Sequence, residues 1–134
     1  MPIHSLTPYA HVADIDRSIE FYVRLGLEVQ NSHFDDGVLA WAFLSTPTHD
    51  RRVSGARLMV AAADRPIVAS KQGVLFYCWT DDALALHAEL EASGIDVGEI
   101  QHPFYMRAGE FEVIDPDGYV VLVGQLDAAA PAAG

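Results

Sequence analysis

Alternating and helical hydrophobic patterns follow one another twice along the chain. Residues 5–13 alternate, with Leu6, Pro8, Ala10 and Val12 on one side and Thr7, Tyr9 and His11 on the other, which predicts a strand. A helix is predicted to start at Asp14 or Asp16, either of which can cap it. Its buried stripe would be Ile15, Ile19, Tyr22 and Val23, and Gly26 would end it as the residue after the C-cap. Strands are predicted at 27–34, 38–45 and 56–62, with a polar loop from Thr46 to Gly55. The pattern then restarts with a strand at 73–80 and a helix capped by Asp81 or Asp82, carrying Ala83, Leu86 and Leu90 inward and ending at Gly94. Strands follow at 95–101, 109–115 and 118–125.

The spacing between matching punctuation marks is nearly constant. Asp14 to Asp81 is 67 positions, Gly26 to Gly94 and Val29 to Val97 are each 68, and Gly55 to Gly118 is 63. The chain therefore reads as a tandem α+β repeat of one βαβββ unit: a first unit over 1–63, a linker over 64–72 and a second unit over 73–125. One such unit can bury only one face of its sheet, so the other faces need a partner surface. The tail 126–134, rich in Ala and Pro, offers little to pack and is expected to be disordered.

Composition narrows the classes. With 134 residues the chain can hold a real core, but no apolar run approaches the roughly 18 residues of a membrane span. Met1-Pro2-Ile3-His4 lacks the basic-then-apolar pattern of a signal peptide. Cys78, the single cysteine, excludes an internal disulfide and fits a reducing, cytoplasmic setting. Nineteen acidic residues against eight basic ones give a formal charge of −11, which repels nucleic-acid backbones and anionic membranes and attracts cations.

The strongest local signal is Gly109–Gln125, where two β-type runs flank Asp115-Pro116-Asp117-Gly118. Pro116 presets φ, Asp115 can bond onward to backbone, and Gly118 can take the positive φ that closes the turn. This hairpin resembles the closing strands of the vicinal oxygen chelate superfamily, which includes glyoxalase I, extradiol dioxygenases and bleomycin-resistance proteins. The opening run Val12-Ala13-Asp14-Ile15-Asp16-Arg17-Ser18-Ile19-Glu20-Phe21-Tyr22, then Leu25-Gly26-Leu27, resembles that family's first strand-to-helix passage. The likeness spans about residues 5–125. It implies curved half-barrel sheets with helices outside, a concave face lining a cavity, and two chains paired in a dimer.

Enzymes of that family hold a divalent metal with His or Glu from the first and last strands of each unit. The matching positions here are Thr7, Met59, Val74 and Leu122, none a useful ligand, so neither metal nor cofactor is expected. The repeat, taken at a spacing of 67, aligns Thr7, Tyr9 and His11 with Val74, Phe76 and Cys78 on the cavity side, and sends Leu75, Tyr77 and Trp79 under the second helix. The ligand-binding candidates are then Tyr9, His11, Trp41, Arg57, Met59, Val74, Phe76, Tyr105 and Leu122.

Other chemistry is sparse. His4, His33, His49, His87 and His102 are scattered without metal-ligand spacing, and His87 reads as solvent-exposed. His11 reads either as a hydrogen-bonding or acid–base group or as a polar rim residue. Cys78 reads as a buried, inert thiol. Glu110 and Glu112 share a strand face, as a paired acidic site or simply the strand's wet side. The leading expectation is a dimeric protein that sequesters an aromatic, cationic, antibiotic-like molecule in a metal-free groove. The alternatives are a lyase or dioxygenase with unorthodox or absent metal ligands, and a scaffold whose cavity is filled and serves interaction only.

Overall fold

A computed structural model describes residues 6–47 and 55–126. His4, His49, most of the 46–55 loop and the tail from residue 127 lie outside the described residues. The chain divides into two compact units, Met1–Ile67 and Val68–Gly134, and the architecture is α+β.

The first unit contains β1 (Tyr9–Val12), α1 (Ile15–Arg24), β2 (Glu28–Asp35), β3 (Val38–Ser45) and β4 (Arg57–Ala62). Its sheet runs β1-β4-β3-β2, with β1 parallel to β4 and the other neighbours antiparallel. Asp14 is the cap of α1: its carboxylate accepts the Arg17 N–H at 3.2 Å, and Gly26 ends the helix at φ +104°. The buried stripe is Ile15, Ser18, Phe21 and Tyr22, slightly rotated from the predicted one, so Val23 is exposed. Ala10, Val12, Ala42, Leu44, Leu58 and Val60 form the buried side of the sheet. At the β2–β3 turn Asp36 and Gly37 both have positive φ, as a tight two-residue hairpin requires.

The second unit contains β5 (Leu75–Thr80), α2 (Ala83–Ala92), β6 (Glu110–Ile114) and β7 (Val120–Gln125). Its sheet is β5-β7-β6, with β5 parallel and β6 antiparallel to β7. The cap of α2 is Asp82, not Asp81; its carboxylate accepts the Ala85 N–H at 3.0 Å. Gln125 fixes the same helix start, accepting from Ala83 N–H at 2.7 Å and donating to the Asp81 carbonyl at 2.6 Å. Phe111, Val113, Val121, Val123, Ala83 and Leu90 are buried on the helix side. His87, expected in solvent, is half-buried: its ring meets Phe111 edge-on at 5.1 Å, and Nε2 bonds the Gly98 carbonyl oxygen at 2.8 Å.

The predicted strand at 95–101 is not a continuous strand. Only two bridges form, Val97 with Val113 and Gln101 with Glu110, so four steps on one side oppose three on the other and the register slips by one residue. The 64–72 stretch is likewise not all linker. Ala69–Lys71 form a 3-10 turn, and the Gln72 side-chain amide donates to the Asp117 carbonyl at 3.0 Å. Ala69 lies against Gly118 (φ +87°), where an added Cβ would come within 2.5 Å of its methyl. In the same hairpin the Asp115 carboxylate accepts the N–H groups of Asp117 and Tyr119, at 2.9 and 2.8 Å. Leu126, the first residue of the predicted tail, donates to the Thr80 carbonyl at 2.7 Å.

Candidate functional site

Partners directly across a ladder share a face, so register fixes what each sheet presents away from its helix. In the first unit one row is Tyr9, Met59, Phe43 and Asn31; the next is His11, Ala61, Trp41 and His33; a third is Arg57, Ser45 and Glu28. Five sequence-selected residues, Tyr9, His11, Trp41, Arg57 and Met59, therefore stand on one open face. Tyr9 and His11 meet edge-on with ring centroids 5.4 Å apart. Arg57 borders a hollow of about 290 Å³ with Phe43, Ser45 and Thr46.

The second sheet corrects the expected facing of β5. Phe76 and Cys78 pair with Val121 and Val123, both buried on the helix side, whereas Tyr77 and Trp79 pair with Leu122 and Gly124 on the open side. The cause is the cap: Asp14 corresponds to Asp82, a spacing of 68, so Tyr9 corresponds to Tyr77 and Thr7 to Leu75. Phe76 stacks on Tyr119 at 5.6 Å instead of facing the groove, and Val74 precedes the strand, exposed. Burial raises the Cys78 thiol above its ordinary value.

Three rows build the open face of this unit: Leu75, Val120 and Ile114; Tyr77, Leu122 and Glu112; Trp79, Gly124 and Glu110. Gly124 has no side chain, and a Cβ there would come within 3.1 Å of the Tyr77 hydroxyl. That gap lets Tyr77 lie across the strand and donate to Glu110 Oε2 at 2.5 Å. The segment after Gln101 folds back through a turn in which the Met106 N–H donates to the Pro103 carbonyl at 2.9 Å. It brings the Tyr105 hydroxyl to Glu110 Oε1 at 2.6 Å. Tyr105, Glu110, Glu112, Leu122, Gln101 and Glu99 line a groove of about 510 Å³.

The electrostatics follow from this geometry. Glu110 is 5 % exposed and accepts a phenol on each oxygen. Burial, then the hydrogen bond to Glu110 and its charge, push the Tyr77 phenol well above the usual range. The bond to Glu110 is the main cause of a rise at Tyr105. Both phenols stay protonated donors around neutrality, so neither is a ready acid. Tyr77 and Trp79 add adjacent rings with centroids 4.9 Å apart. Of the sequence-selected residues only Tyr105 and Leu122 join this groove. Tyr77, Trp79 and Glu110 were not among the ligand-binding candidates, although the 68-residue spacing between Gly26 and Gly94 carried the signal for the two aromatics.

The positions that would carry the family's metal do not fit one. Met59 and Leu122 offer a thioether and a hydrocarbon, and replacing Val74 by Leu75, as the register requires, adds no donor. Among the described residues no three His, Cys, Asp or Glu side chains are grouped to hold a metal ion.

The model of the Glyoxalase/Bleomycin resistance protein/Dioxygenase superfamily matches residues 4–123, and the chain belongs to that superfamily. A search of curated proteins by sequence gave no match. Among solved structures, TnmS3, an antibiotic binding protein from Streptomyces sp. CB03234, aligns at TM-score 0.72 and 21% identity over 95% of this chain and 99% of its own. A bleomycin-binding protein complexed with bleomycin aligns at 0.67 and 18%, over 93% and 100% of the two chains. TioX from Micromonospora sp. ML1 gives 0.68 and 21%, over 91% and 98%. At these identities the likeness is one of fold. No helix among the described residues is long and apolar enough to cross a membrane.

Proposed function

We propose that the protein binds and sequesters a small aromatic, cationic, antibiotic-like molecule without the help of a metal, as a cytoplasmic homodimer. The observation that carries this reading is the open face of the second unit. Tyr105 and the buried Glu110 carboxylate line a groove there, with Tyr77 bonded to that carboxylate, while the family's metal positions hold Thr7, Met59 and Leu122. A groove of several hundred cubic ångströms that combines an aromatic ring with carboxylates suits an organic cation. The antibiotic binding protein and the bleomycin-binding protein that share the fold support the same assignment. Tyr9, His11, Trp41, Arg57 and Met59 form a separate proposed binding surface, on the open face of the first unit taken by itself. Two sheets that each leave one face uncovered support the dimer, whose interface would bury on the order of 2,000 Å².

Thermal unfolding with and without bleomycin tests the reading. Ligand at a hundredfold excess over Kd stabilises by about 2.7 kcal/mol, a clear rise in Tm. No rise with bleomycin or other cationic aromatic antibiotics, together with stoichiometric metal that survives dialysis, would overturn it in favour of an enzyme. Light scattering at micromolar concentration should give twice the chain mass; a stable monomer contradicts the dimer.

A further inference from the structure

Glu110 is the least ordinary group on the second open face. It is nine-tenths buried, lines the groove, and forms no ion pair with Lys, Arg or His among the described residues. Its two partners are neutral phenols, so its negative charge is solvated but not balanced. An ionised carboxylate removed from water is costly until a cation reaches it. Glu99 and Glu112 lie on the same lining, which contains no Lys or Arg, so the side-chain charges on the lining have one sign.

The two phenols are not equivalent. Tyr77 starts on β5 and lies over Gly124, inside the sheet's own register. Tyr105 sits on the turn after Pro103, is 59% exposed, and follows Phe104, which is 86% exposed. The Tyr105 hydroxyl is therefore the one a ligand can displace. Trp79, half exposed and in the row of Glu110 with only Gly124 between them, stands against the ring of Tyr77 at 4.9 Å and offers a free ring face on this side of the sheet.

We propose that Glu110 is the charge-reading residue of the groove. It takes the ammonium or amidinium group of a flat organic cation in place of the Tyr105 hydroxyl, Tyr77 holds the carboxylate in position, and Trp79 stacks on the ring. This rests on the ligand-binding reading above and deepens it by naming the ligand's charge and the group that meets it. Carboxylate and phosphate ligands are rejected, because they would add an anion to three glutamates.

The test uses three flat probes on one ring system: 9-aminoacridine, which is an amidinium-type cation at neutral pH, uncharged acridine and acridine-9-carboxylate, titrated calorimetrically at low salt. Protonated 9-aminoacridine should bind the parent about tenfold more tightly than acridine, and the carboxylate should not bind. E110Q should lose that tenfold preference while keeping its affinity for acridine. Y105F keeps the ring but removes the competing hydroxyl, so it should bind the cation severalfold more tightly. W79A should weaken cation and acridine alike. Equal binding of cation and acridine by the parent overturns the inference, as does an unchanged preference in E110Q. Weaker cation binding by Y105F overturns the displacement step. If E110Q does not fold, the parent's preference and the sign of the Y105F effect still decide. Failure of all three probes and of bleomycin counts instead against the ligand-binding reading itself.

Discussion

The two units follow one plan on their helix sides and part company on their open faces. Leu44 in the first and Phe111 in the second are sealed under a helix, on strands with a buried–exposed alternation. On the other side, the first unit presents Tyr9, His11, His33, Trp41 and Arg57, with Glu28 in the row of Arg57 and Asp35 bonded to His33, a face of mixed charge. The second presents Tyr77, Trp79, Glu110 and Glu112, a face whose charge is acidic. Burial under a helix tolerates little variation, because a packed interior responds to single methylenes. An open face meets no such demand, so its chemistry is free to diverge between repeats.

The likeness of the helix sides is the easiest part to break. Leu44→Ala and Phe111→Ala should each cost about 2–5 kcal/mol in urea unfolding. A variant as stable as the parent would show that one core does not carry its unit.

The two hairpin turns should differ next most. Both Gly37 and Gly118 have positive φ, but nothing lies near a Cβ at Gly37, whereas Ala69 would be struck from Gly118. Gly37→Ala should cost about 1 kcal/mol from backbone strain alone, and Gly118→Ala about 2–4 kcal/mol. Equal costs would mean that the Ala69–Lys71 turn gives way.

Alkaline pH should separate the faces more gently. The Tyr77 phenol is raised in the folded chain, by burial first and by Glu110 second. Its contribution to stability is full below the unfolded phenol value of about 10 and falls as pH rises beyond it, because only the unfolded chain gives up that proton. Urea unfolding across that range should show a steeper loss for the parent than for Tyr77→Phe; parallel curves would remove the tie to Glu110. The smallest effect concerns Cys78, whose thiol is raised by burial. A thiol reagent at neutral pH should label it slowly in the folded chain and quickly in denaturant.

Most of the fold was legible because turns and caps leave local marks. Asp115-Pro116-Asp117-Gly118 specified its hairpin, and Gly26 and Gly94 ended their helices with the positive φ their type permits. The open face of β5 was not legible from its own residues, since Phe76, Tyr77, Cys78 and Trp79 are all apolar or aromatic and show no alternation. Facing then hung on whether Asp81 or Asp82 capped α2, and a one-residue slip moves every side chain to the other side. Phe76→Ala accordingly becomes a test of packing against Tyr119, and the rings offered to a ligand are Tyr77 and Trp79. The strand at 95–101 failed for a different reason: the slip between its two bridges is set by the chain it pairs with. Glu112 is the strand's wet side, while its neighbour on the same face, Glu110, is buried by the tyrosines that bond it, and alternation alone does not distinguish them.

Calorimetric titration of bleomycin into the full chain, with and without a chelator, tests the central claim most directly. The account predicts saturable binding, at the same affinity in both conditions, that weakens as salt is added. Binding that vanishes with the chelator and returns with a divalent metal would contradict it.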